Sequence, residues 1–157
     1  MDDLQRLEDW VSPLLASLSP AERRSLARTV ARELRSANAA TMKAQTAPDG
    51  TPWTPRRPTL REQLGKVKKK AKPAAMFTKM RTASHLQAKA TASEAIVQFA
   101  GRTQRIARVH HFGLRDRVQS GGPEYDYPAR RLLGITDAHI ERVRDILMQH
   151  LGRHHGG

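Results

Sequence analysis

The segment from Met76 to Gly134 constrains the fold more tightly than any other part of this 157-residue chain. It reads as two strands, Leu86–Ala90 and Ala95–Phe99, joined by a turn at Thr91–Glu94. Leu86, Ala88 and Ala90 alternate with polar positions, as do Ala95, Val97 and Phe99 with Glu94 and Gln98; this period of two belongs to a sheet buried on one face. The other face is left to water or to a partner. A short amphipathic helix is predicted from about Thr103 to Phe112, with Ile106, Val109 and Phe112 inward, Arg105 and Arg108 outward, and Gly113 as its stop. Gln119 to Pro123 reads as a flexible loop. Tyr125–Leu133 then runs extended through Pro128 into a last helix. Ahead of the strands, Met76–Ala83 reads as a short helix or helical turn with Met76, Phe77 and Met80 facing the core.

A small sheet of this kind needs helices to cover it, and the flanks supply them. The first helix is expected over Asp2–Ser17, with Leu4, Leu7, Val11, Leu14 and Leu15 on one stripe. Asp2 and Asp3 sit where the helix dipole favours negative charge. Pro13 predicts a kink or an early stop near Val11–Ser12. Ser19-Pro20-Ala21-Glu22 is a capping box with proline at the first helical position, opening a second helix to about Gln45. Leu26, Val30, Leu34 and Ala37 form its apolar face. Arg23, Arg24, Arg28, Arg32 and Arg35 lie around the other side, as a solvated face or as an interface with an acidic partner. Thr136 is expected to cap the final helix, whose stripe is Ile140, Val143, Leu147 and Leu151, and residues 152–157 read as a frayed tail. The expected class is α+β: N-terminal helices and a C-terminal helix packed on a small antiparallel sheet. Residues 1–151 read as a single domain.

Between the second helix and the sheet the texture changes. Residues 47–75 hold five prolines and two glycines, which forbid a long regular element and predict an extended Pro/Lys-rich arm with a turn at Pro48-Asp49-Gly50. Trp53 is expected to dock this arm on a neighbouring surface. Lys66, Lys68, Lys69, Lys70 and Lys72 form a dense cationic run, read either as a solvated loop or as a contact for DNA phosphate or an acidic partner. No aromatics interleave with them, so a stacking platform for single strands is not supported.

The whole chain carries 28 Lys and Arg against 15 Asp and Glu, a formal charge of +13. That excess favours phosphate or acidic protein surfaces as partners. It is uneven, since Asp2, Asp3, Glu8 and Asp9 oppose only Arg6 at the start. With no cysteine, disulfides, thiolate metal sites and a cysteine nucleophile are excluded. No apolar run approaches the roughly 18–20 residues of a membrane span, and an acidic start is wrong for a secretory signal. The expectation is a protein that stays in the cytoplasm or leaves it inside something larger. Phosphate-loop, zinc-protease and nucleophile-elbow motifs are absent. His110-His111 suggests a metal, but neighbours on a helix point about 100° apart and no third ligand has matching spacing. One of the two is expected packed and the other exposed. His154-His155 reads as a polar ending rather than a site. No catalytic residue, metal or cofactor is expected.

SLSPAERRSLARTVARELR at 17–35, PDGTPWTPR at 48–56, MFTKMRTASHLQAKA at 76–90, FAGRTQRIARVHHFGLRDRV at 99–118 and YPARRLLGITDAHI at 127–140 occur in this order. In these blocks the chain resembles the phage virion morphogenesis family, the S-type tail completion proteins of contractile-tailed temperate phages. The resemblance implies a structural virion protein at the tail-neck region, assembled in the host cytoplasm, which completes the tail and joins it to the head. It implies a ring around the DNA channel. Its partners would be other copies of itself, tail terminator or tail tube proteins, head-connector or portal-side proteins, and passing genomic DNA held without sequence preference. On that reading Trp53, with Arg56 and Arg57 in the arm around it, anchors subunit contacts, the alternative being that Trp53 covers its own domain. Arg105, Arg108, Arg115 and Arg117 face the channel or a partner. Tyr127, Pro128 and Arg130 shape a corner. The alternative from composition alone is a small basic protein binding double-stranded DNA nonspecifically.

Overall fold

In the computed structural model, which describes residues 3–57, 64–65 and 74–155, the expected α+β architecture is present. Helix α1 covers Asp3–Ala16, α2 Pro20–Lys43, α3 Arg102–Phe112 and α4 Asp137–His155, with strands β1 at Leu86–Ala90 and β2 at Ala95–Phe99. Two further short strands, β3 (Arg115–Arg117) and β4 (Glu124–Asp126), form a second antiparallel hairpin.

The capping box opens α2 as read: Ser19 Oγ accepts from the Glu22 amide at 3.2 Å and Glu22 Oε2 from the Ser19 amide at 3.1 Å. Helix α2 then runs along two apolar clusters. At its start Leu26 joins Val11 and Leu18 beside α1 and Ile140, Ile146, Leu147 and Leu151 of α4. At its end Met42 joins Ala47, Trp53, Leu86, Phe99, Ala107 and Leu132. The helix is thus the beam between a helical layer and the hairpin β1–β2. That hairpin pairs Leu86 with Phe99 through to Ala90 with Ala95. Arg142 Nε meets Glu33 Oε1 at 2.8 Å across α4 and α2.

Several local readings are corrected. Helix α1 does not stop at Val11–Ser12 but passes through Pro13 to Ala16. The bond lost to an interior proline costs about 3 kcal/mol. Val11 and Leu18 are buried and Leu14 and Leu15 pack on the same cluster, each contributing about 1.5–3 kcal/mol at full burial. Arg35 is not on a solvated face. It is half-buried, and its guanidinium donates to the carbonyls of Leu86 (2.6 Å) and Arg81 (3.2 Å), which ties α2 to the hairpin. Of the two forms expected for residues 76–83, a short helix or a turn, the structure has successive turns. Helix α4 continues past Gly152 to His155.

Helix α3 is rotated relative to its expected register. Thr103, Ala107 and Val109 are buried, whereas Ile106 is 50% exposed and Phe112 63%. Small side chains let the helix lie close against the core, and Ala107 rather than Ile106 fills that contact. The His85 imidazole Nδ1 and Thr103 Oγ1 share a hydrogen bond of 2.7 Å at the helix start. At its end Gly113 takes the left-handed conformation (φ 68°, ψ 56°). A Cβ there would meet the Ala129 amide nitrogen at 2.7 Å, so the close approach admits only glycine.

Candidate assembly surface

The arm is built from the end of α2. Gln45 adopts a positive φ of 63°, and its side-chain amide stands in for a strand partner. Its Oε1 accepts from the Met76 amide at 2.7 Å while its Nε2 donates to the Met76 carbonyl at 3.0 Å. The expected turn at Pro48–Gly50 closes by Gly50 N–H to Ala47 O at 2.9 Å. Asp49 Oδ1 accepts from the Thr51 amide at 2.9 Å, and this bond holds the Asp49 carboxyl below its ordinary pKa.

Trp53 then turns inward. It is 7% exposed, and its Nε1–H donates to the Arg131 carbonyl at 2.9 Å. The surface on which it docks belongs to its own chain. Directly after it, Arg130 reaches the arm from the other side. Its guanidinium, in a residue only 6% exposed, donates to Thr54 O at 2.8 Å and Pro55 O at 3.1 Å. Burial pulls its pKa below the usual arginine range. Arg130 is therefore the clamp that holds the arm down; nothing in the residue pattern distinguishes it from its exposed neighbour Arg131.

Aromatic rings continue this anchorage. Trp53 meets Phe77 edge-on at 5.4 Å, Phe77 meets His110 at 4.8 Å, and His110 meets Tyr127 at 4.7 Å. Tyr127 meets Tyr125 at 4.9 Å, and the Arg57 guanidinium lies 5.6 Å above the Tyr125 ring. The ladder staples the arm, the turns at 76–83, α3 and the segment after β4 into one block. Edge-to-face pairs of this kind each contribute about 0.5–1.5 kcal/mol. An open cleft of about 560 Å³ lies against it, with Arg56, Arg57, Phe77, His110, Tyr127 and Arg130 in its wall and no carboxylate among its described lining.

The histidines divide differently from expectation: both are half-buried. His111 Nδ1 accepts from the Leu132 amide at 3.2 Å, and His110 Nδ1 is buried without a hydrogen-bond partner among the described residues. Burial lowers both pKa values from 6.5, with Arg130 beside His110 and Arg131 beside His111 acting in the same direction. They are half-buried and neutral at physiological pH. No group of three or more His, Asp or Glu among the described residues could hold a metal.

Of the four arginines singled out after the hairpin, Arg105 and Arg115 form ion pairs. Arg105 Nη2 meets Asp116 Oδ1 at 3.0 Å, and the same oxygen accepts from the Arg117 amide at 2.8 Å. Arg115 pairs with Glu124 (2.9 Å) and Asp126 (3.4 Å) across β3–β4. Arg108, three residues after Arg105, shares its side of α3. Arg105 and Arg115 are thus neutralised locally, while Arg108 and Arg117 are exposed and carry no ion pair among the described residues. Arg56 and Arg57 are exposed in the arm. Lys66, Lys68, Lys69, Lys70 and Lys72 lie outside the described residues. No helix of the described chain is long and apolar enough to cross a membrane.

The model of the phage virion morphogenesis family matches residues 2–152. Tail completion protein S of Escherichia phage P2 is 39% identical over 155 residues, covering 98% of this chain and 100% of that protein. No solved structure matches.

Proposed function

Because the chain belongs to the phage virion morphogenesis family, we propose that it is a tail completion protein: a structural virion component that finishes the tail and makes it competent to join the head. The observation that carries this is the 39% identity to the P2 tail completion protein along essentially the full length of both chains. Its work is contact rather than catalysis. The protein sits at the neck, as a ring of copies around the DNA channel, between tail tube or terminator proteins and the head connector. Exposed Arg56, Arg57, Arg108 and Arg117 supply a cationic surface that tolerates phosphate without reading sequence. Trp53 and Arg130 keep the arm in one place, so that Arg56 and Arg57 meet a neighbouring subunit pre-arranged.

The test is made in the phage that encodes it. With the gene removed, electron microscopy of lysates is expected to show filled heads and free tails in place of joined particles, and a plasmid copy restores joining. Normal particles without the protein overturn the proposal. Loss of heads or of genome packaging, with tails unaffected, points instead to the small DNA-binding protein that the net charge of +13 also suits.

A further inference from the structure

Hairpin β1–β2 has hydrogen-bonding capacity on both outer edges. Thr91 N–H donates to Glu94 O at 2.9 Å at one end of the ladder, and Ala100 N–H to His85 O at 2.8 Å at the other. Hydrogen-bonded pairs alternate along an antiparallel ladder, so Gln87–Gln98 and Lys89–Ile96 are the bonded pairs between them. The N–H and C=O groups of Ala95 and Val97 on β2, and of Ala88 and Ala90 on β1, therefore point away from the hairpin. None of these four residues makes an outward hydrogen bond among the described residues. Leu86 differs: its amide donates to Thr82 O at 2.8 Å and its carbonyl accepts from Arg35. Beside the β2 edge lies an open groove of about 570 Å³ walled by Leu34, Ile96, Val97, Leu133 and Ile135.

We propose that β2 of one copy pairs antiparallel with β1 of a second copy, joining the two-stranded hairpins into a continuous sheet. The row of unpaired donors and acceptors selects an extended backbone as occupant. A second copy fits because the opposite edge of the same hairpin carries the complementary row. One contact then repeats head to tail, the arrangement that closes into a ring. A two-stranded sheet alone is marginal, and a third strand relieves that. The register that satisfies both open rows sets Ala95 against Ala90 and Val97 against Ala88. Lys89 then lies opposite Ile96 and diagonal to Glu94, which brings an exposed cation within reach of an exposed carboxylate. This inference rests on the ring reading above and specifies its contact.

The absence of cysteine makes the test clean. Lys89→Cys and Ile96→Cys are made as separate proteins, so no intramolecular disulfide can form. They are mixed, oxidised and weighed by light scattering, alone and with the tail tube protein. In the proposed register these positions form a non-hydrogen-bonded pair with Cα atoms about 4.5 Å apart, within disulfide range. The expected product is the mixed disulfide dimer, well in excess of either homodimer. Ala95→Pro removes an outward N–H while leaving the β1–β2 ladder intact. It should raise the protein concentration needed for association about tenfold or more, with an unchanged circular dichroism spectrum. Oligomers whose mixed cysteines stay unlinked, or that link only Ile96→Cys to itself, overturn the strand pairing and leave the ring reading standing. A monomer at every concentration, with and without tube protein, overturns both.

Discussion

Arg130 and Gly113 show how single residues hold the arm and the corner beneath it. Replacing Arg130 with leucine leaves the Thr54 and Pro55 carbonyls without their donors. The expected loss is about 2–3 kcal/mol in urea unfolding, with faster tryptic cleavage after Arg56 as the arm lifts. Gly113→Ala places a Cβ against the Ala129 amide in a left-handed conformation and should cost at least about 2 kcal/mol. An unchanged urea midpoint for either variant would contradict the roles given to them. At this scale the sequence was legible in part. Trp53 is a lone large aromatic among prolines, which marks a docking residue, but nothing local says that its target is the carbonyl of Arg131. Arg130, Arg35 and Gln45 were illegible as anchors, because a buried guanidinium or amide serving distant carbonyls leaves no periodic trace. Gly113 was legible as a helix stop, since glycine after the last periodic residue has few other uses.

Among the elements, those with a complete local grammar were read correctly. The hairpin β1–β2 has alternation and a short turn, and α2 has its capping box. Thr136 caps α4 as expected, its Oγ1 accepting from the His139 amide at 3.3 Å while His139 Nδ1 accepts from the Thr136 amide at 3.2 Å. Ser19→Ala and Thr136→Ala should each cost about 1 kcal/mol, seen as a lowered melting temperature. Hairpin β3–β4 escaped because its strands, Arg-Asp-Arg and Glu-Tyr-Asp, have no apolar alternation and pair through exposed charges. Such pairs contribute at most about 1 kcal/mol each. The face of α3 was misread because apolar residues at 106, 107, 109 and 112 spread around most of so short a helix. The ring ladder joining these elements has a pH signature. His110 and His111 have folded pKa values below 6.5, so on acidification the unfolded chain takes up protons first. Stability is then constant above about pH 7, falls as pH drops through 6.5, and levels off below the folded values. His110→Gln should flatten part of that slope; an identical slope in thermal melts from pH 7.5 to 5 would contradict the assignment.

For the whole molecule, helix α2 carries a helical layer at one end and the hairpin, arm and ladder at the other. The helical layer presents Glu8 and Asp9 to solvent along with Arg6, Arg24, Arg28 and Arg32, while the arm, α3 and β3 present Arg56, Arg57, Arg108 and Arg117. The α+β class and the family were legible from the ordered blocks between residues 17 and 140. Which strand edges and surfaces would meet in the expected ring was not, because local pattern does not specify them. The most direct measurement is the mass of the purified protein by light scattering, with and without the tail tube protein. A discrete closed multimer, formed alone or on adding tube protein, is the predicted result. A monomer that ignores tail proteins and instead binds duplex DNA, with affinity falling steeply as salt rises, would contradict it.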